Sequence, residues 1–168
     1  MEDLFLKVVE DVKNNSNYYL SEFHLTERQS RAAQGDLLLP AERSAIEALG
    51  GEVPESDLAA LMDRHADPEI GTALREPLIR LCARYLLHER TPSGRALDPV
   101  AHFHLSNGAR VERLNWLGDT SPKGLQQSAG IMVNYLYRLS EIEANHEAYR
   151  GEGRVAASSA IRNLLRAR

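Results

Sequence analysis

Two histidines, His102 and His104, stand two residues apart in the stretch Asp98-Pro99-Val100-Ala101-His102-Phe103-His104-Leu105-Ser106-Asn107-Gly108-Ala109. An imidazole ordinarily titrates near neutrality, so this pattern offers general acid or base chemistry at physiological pH. The run Val100 to Leu105, then Asn107-Gly108, then Val111, Leu114 and Trp116 predicts strand, turn and strand. Residues i and i+2 of a strand share a face, which would turn both rings the same way. Two other readings stand beside it. His-x-His with Asp98 or His146 as a third ligand is a metal pattern, but the spacing fixes no third ligand. Spacing alone favours histidines satisfied by backbone partners over either chemistry.

The remaining nucleophiles give less. Ser106, Ser121 and Ser128 lie in no Gly-x-Ser-x-Gly elbow. Gln126-Gln127-Ser128-Ala129-Gly130 matches neither a dinucleotide fingerprint nor a Walker loop, and Gly124 and Gly130 suit close packing. The single cysteine, Cys82, sits in the apolar stretch Leu78 to Leu87 and reads as a buried, inert thiol. Tyr135 and Tyr137 are core candidates, although a phenol facing the hairpin could orient an enolate or a carboxylate.

The elements that must position these groups are mostly helical. Leu4, Val8 and Val12 repeat at helical spacing, and a weaker helix spans about Tyr19 to Ala33. Pro40 opens a helix over 41–49 that Gly50-Gly51 stops. A short helix follows Ser56 over 56–64, and a longer one covers about 69–88, with Pro77 as a candidate kink. Thr91-Pro92-Ser93-Gly94 is a loop, and Ser121-Pro122 caps a further helix. Ile131 to Tyr137 alternates like a strand, yet Met132, Tyr135, Leu136, Leu139 and Ile142 recur at helical spacing, which favours a helix to about Ala148. A last helix spans 155–165. The fold class is α+β, predominantly helical with one β-hairpin that other elements must cover.

Over 168 residues, 43% apolar and 26% charged is the composition of one globular domain. A net charge of −4 gives no electrostatic reason to approach nucleic acid. The basic tail, Arg154, Arg162, Arg166 and Arg168, suits the end of a helix. No apolar run approaches the ~20 residues of a bilayer span, and Glu2 and Asp3 precede any apolar run, so the expectation is a cytoplasmic chain with no membrane partner.

Four blocks in order resemble the C-terminal part of the malonyl-CoA decarboxylase family: Pro77 to Leu86, Ala96 to Ala109, Leu114-Asn115-Trp116 and Ser128 to Tyr137. The resemblance spans about 35–168 and leaves 1–34 as a helical segment of unknown origin. It implies a GNAT-like catalytic domain, lacking its N-terminal strands, that converts malonyl-CoA to acetyl-CoA and carbon dioxide with no metal and no organic cofactor. It also implies that a histidine of the Phe-His-Leu block protonates the thioester enolate; His104 holds that position. His102 falls where the family tends to have asparagine, and Tyr137 matches a tyrosine near the site.

The family's serine, in a Ser-Pro-Ile-Pro-Gly-like block, and its Gly-containing CoA pyrophosphate loop have no counterpart in these 168 residues. The resemblance therefore implies a C-terminal portion, as a fragment, a truncated reading frame or a fusion, that is incomplete in isolation. Its implied partners are malonyl-CoA and either further copies of itself or a missing N-terminal half. A catalytically inactive helical remnant that binds a partner or self-associates is the alternative. A GNAT acyltransferase is disfavoured, because the acetyl-CoA loop is missing too.

Overall fold

The computed structural model describes residues 17–19, 38–49 and 68–166. The helices expected near 4–12 and 56–64, and all of the 19–33 helix except Tyr19, lie outside these residues. Strand β1, Asn17–Tyr19, is the first described element.

Helix α1 covers Pro40–Glu47, close to the expected 41–49. Proline fits its first turn, and the Glu42 carboxylate accepts the Leu39 N–H at 2.8 Å. The same carboxylate accepts two bonds from Arg80, at 2.8 and 2.7 Å, which ties α1 to the long helix α2, Pro68–His88. Helix α2 continues through Pro77. Its Ile70, Leu74, Leu78, Leu81, Cys82 and Tyr85 repeat at three- and four-residue spacing, and all are buried in the main core.

The 91–94 loop is present, with the Gly94 N–H bonded to the Thr91 carbonyl at 2.9 Å. The expected strand over 100–105 is not. Pro99–Ser106 is helix α3. Asp98 caps it by accepting the Ala101 N–H at 2.6 Å, and Pro99 occupies the first turn. Asn107-Gly108 ends that helix and makes no hairpin. The N–H of Ala109 bonds the His104 carbonyl at 3.1 Å and the N–H of Gly108 bonds that of Leu105 at 3.1 Å, with Gly108 at φ +83°. This pairing is a Schellman stop.

Strand β2, Arg110–Asn115, therefore takes its partner from far along the chain. It pairs antiparallel with β3, Met132–Leu136, with Val111 opposite Tyr135 and an irregularity between Val111 and Arg113. Strand β1 pairs antiparallel with the other edge of β3, Tyr18 opposite Val133, giving the sheet order β1-β3-β2. The expected helix from 131 to about Ala148 is accordingly a strand followed by a separate helix, α5, Ile142–Glu152. Side chains of this central strand alternate between two covered faces, so Ile131 and Val133 are buried and so are Met132 and Asn134.

Between the strands, α4, Pro122–Ser128, is capped as expected by Ser121, whose hydroxyl accepts the Gly124 N–H at 3.1 Å. The last helix, α6, covers only Ser159–Leu164. Residues 156–158 lie along β2 instead, with Val111 N–H to Ala156 O and Ser158 N–H to Val111 O both at 2.9 Å. The result is a mixed fold in which one face of a small antiparallel sheet packs on α2 and α3. No helix of the described residues is long and apolar enough to cross a membrane.

Candidate active site

Because Val100 to Leu105 is helical, two residues along the chain correspond to about 200° around the axis, and His102 and His104 point to opposite sides of α3. His104 faces the sheet. It is 3% exposed, and its Nδ1 lies 2.8 Å from the Tyr137 hydroxyl. The ring stacks on Tyr135, centroids 4.4 Å apart and planes within 16°, while Phe103 meets it edge-on at 5.1 Å. Tyr135 and Tyr137 are two apart at the end of β3 and share the face that looks at α3. Thus one strand end offers the imidazole a ring face and a hydroxyl.

Beneath this group lie Asp98, Cys82 and Tyr85. Burial, and then the Asp98 carboxylate, push the Cys82 thiol well above its ordinary range. The Tyr135 phenol is raised well above its range by burial first, then by Asp98, Cys82, Tyr137 and Tyr85. Both groups are therefore neutral around pH 7. Cys82 is fully buried and is no nucleophile, as its apolar setting predicts.

His102 makes a different contact. Its Nδ1 lies 2.8 Å from the Tyr149 hydroxyl, which also accepts the Ala96 N–H at 2.9 Å. The Tyr149 oxygen therefore meets both the Ala96 N–H and the His102 ring, with one hydrogen to give and two lone pairs to receive. Burial, then Arg95 and Arg150, lower the His102 pKa. His146 Nδ1 sits 2.6 Å from the Ser106 carbonyl and so carries a hydrogen. The three histidines that the metal pattern needed thus have separate oxygen partners. Among the described residues no group of three or more His, Cys, Asp or Glu side chains gathers for a metal ion.

Sequence reasoning missed three parts of this arrangement. Tyr135 is named with Tyr137 as a core candidate whose phenol could orient an enolate or a carboxylate, but its stacking on His104 follows only from the strand reading of 131–137. Asp98 carried a helix-start signal that the hairpin reading passed over. Tyr149 lies 47 residues from His102, and no local pattern links them.

The opposite face of the sheet carries Asn134, 4% exposed, whose side-chain oxygen accepts from Asn115 at 2.7 Å and from Arg113 at 3.3 Å. Asn134 and Arg113 line a groove of about 1270 Å³ that also holds Arg110, Arg154, Ser158 and Arg162. Neither His104 nor Tyr137 lines it.

The family model of the malonyl-CoA decarboxylase C-terminal domain matches residues 20–168, beginning ahead of Gly35. The mitochondrial malonyl-CoA decarboxylase of Anser anser anser is 38% identical over 144 residues, which are 84% of this chain and 28% of that protein. That of Rattus norvegicus is 39% identical over 135 residues, 79% and 27% of the two. Among solved structures, the malonyl-CoA decarboxylase of Rhodopseudomonas palustris is 40% identical with a TM-score of 0.69, covering 95% of this chain and 39% of that one. That of Cupriavidus metallidurans is 32% identical with a TM-score of 0.75, covering 96% and 43%. The chain therefore spans between about a quarter and two-fifths of the length of these relatives. With the family match running over nearly all of its residues, the chain belongs to the malonyl-CoA decarboxylase family.

Proposed function

We propose that this chain supplies the proton-donor part of malonyl-CoA decarboxylation, with His104 as the donor and Tyr137 as the group that holds it. The observation that carries the reading is the 2.8 Å contact between Nδ1 of the buried His104 and the Tyr137 hydroxyl. With Nδ1 engaged, Nε2 is the nitrogen that serves the substrate. Loss of carbon dioxide from malonyl-CoA leaves the enolate of a thioester, which requires one proton at its α-carbon. As imidazolium, His104 donates Nδ1–H to the Tyr137 oxygen and delivers Nε2–H to that carbon. It is left as a neutral imidazole with its hydrogen on Nδ1, and solvent restores the other. The products are acetyl-CoA and carbon dioxide. The domain reading belongs to the same proposal: sheet and helices form the C-terminal part of a GNAT-like acyl-CoA fold.

The test replaces the matched C-terminal segment of the Rhodopseudomonas palustris relative with residues 20–168 and measures carbon dioxide release from malonyl-CoA. Turnover is expected in the chimera, and His104→Gln is expected to lower it by roughly 10²–10⁴-fold, the usual worth of a general acid. A folded His104→Gln chimera retaining more than half of the parent turnover would overturn the assignment.

A further inference from the structure

We infer that Tyr135 is a positioning residue for His104, its ring fixing the plane in which the imidazole presents Nε2. The inference rests on the proton-donor reading above. The hydrogen bond at Nδ1 fixes the position of one ring atom, while the tilt of the ring plane is set by a terminal torsion that is broad in histidine. A flat neighbour within van der Waals distance removes that freedom. Tyr135 provides one at 4.4 Å and 16°, and Phe103 closes the edge at 81°.

The two constraints come from Tyr135 in β3 and Tyr137 one residue past its end, so one segment supplies both. Val111, opposite Tyr135 in the register, is fully buried and holds that strand against β2. A ring face also attracts a cation, so the stack favours imidazolium over imidazole. The Tyr135 phenol stays neutral, which keeps that attraction a ring-face effect rather than a phenolate ion pair. The titratable groups around this pair are Asp98 at the head of α3, Cys82 and Tyr85 on α2, and Tyr137 on the strand end.

The experiment records imidazole spectra of the 168-residue chain, labelled at histidine, across pH 5 to 8, with Tyr135→Phe and Tyr135→Leu beside it. Phe keeps the ring and loses the hydroxyl; Leu loses both. In Tyr135→Phe, the His104 signals and midpoint should match the parent. In Tyr135→Leu, the ring-current shift should vanish and the midpoint should move down, while His102, held by Tyr149 on the other side of α3, stays put and reports an intact fold.

Should the Leu variant unfold, Tyr135→Met replaces it as the ring-less form. In the chimera, the ring-less variant should lower kcat about tenfold with KM little changed, and Phe should restore it. Unchanged His104 signals without the ring, or a Phe variant that behaves like Leu with His102 unmoved, would overturn the inference. Failure of the donor reading shows instead as full turnover in His104→Gln, whatever the spectra of the Tyr135 variants.

Discussion

Gly108→Ala should loosen the helix stop that carries the His104 carbonyl, and the structure sets the size of the effect. Gly108 sits at φ +83°, and a Cβ built there would lie 2.3 Å from the Ile142 carbonyl oxygen and 2.9 Å from both its carbon and its Cα. These are backbone atoms at the start of α5, so no side chain can swing away. A left-handed alanine costs roughly 1–2 kcal/mol, and a forced backbone shift in a packed contact about 1–3 kcal/mol more. The lower entropy of an unfolded alanine chain returns about 0.4–1 kcal/mol. The net loss is about 1–4.6 kcal/mol, which at a urea m-value of roughly 2 kcal/mol per molar lowers the midpoint by about 0.5–2.3 M. Gly94→Ala is the control, because Gly94 has φ +80° with nothing within 4 Å of its Cβ. The conformational and unfolded-state contributions are common to both variants, so the difference isolates the clash with Ile142. Urea unfolding followed by circular dichroism measures it. Equal midpoints for the two alanines would show that φ alone accounts for both and that the Ile142 contact costs nothing.

Cys82 should resist a thiol reagent such as Ellman's under native conditions and react once in urea, since burial and Asp98 disfavour its thiolate; rapid stoichiometric labelling of the folded chain would contradict the packing. His102 should lower stability on acidification. Its folded pKa lies below the unfolded value of about 6.5, so the unfolded chain binds the extra proton; stability is full above pH ~6.5 and is lost as pH falls through the folded pKa. Urea midpoints of the parent and His102→Gln between pH 5 and 7.5 test this: the parent should fall more steeply, and parallel profiles would show that His102 contributes nothing to the slope. In the chimera, His102→Gln should cost far less turnover than His104→Gln.

How far the residues announced their own structure depended on whether the deciding contact was local. Helix α2, the Ser121-Pro122 start of α4 and the Thr91 to Gly94 loop carry their signals within a few residues, and these were legible. Helix α3 shows the opposite case. Asp98-Pro99 is a helix start and Asn107-Gly108 fits either a hairpin turn or a Schellman stop. An apolar run of that length does not separate strand from helix by period alone. What decides is the partner of β2, and that is β3 rather than 100–105. The same pairing resolves 131–137: once β3 lies between β1 and β2, alternation governs and the helical spacing of Met132, Leu136 and Leu139 is incidental.

That correction changes what the two histidines can do. On a shared strand face, His102 and His104 would compete for one site, and a metal or a proton pair would be reasonable. On opposite sides of a helix they are separate, and each has acquired its own tyrosine hydroxyl at 2.8 Å. The geometry at Nδ1 is the same in both, so the hydrogen bond alone cannot assign the chemistry. The surroundings differ: the Tyr149 oxygen meets the Ala96 N–H as well as the His102 ring, which makes it a brace between α5 and α3 with the segment ahead of it. His104 has a stacked ring face in place of that brace, at 4.4 Å, and it is on this face that its proposed role as proton donor rests. The causes that lower the His102 pKa are burial and the two arginines, so Tyr149→Phe, which touches none of them, should leave that pKa lowered and the His104 signals unmoved in histidine-labelled spectra; a His102 midpoint that rises to its ordinary value would show that the hydroxyl sets it.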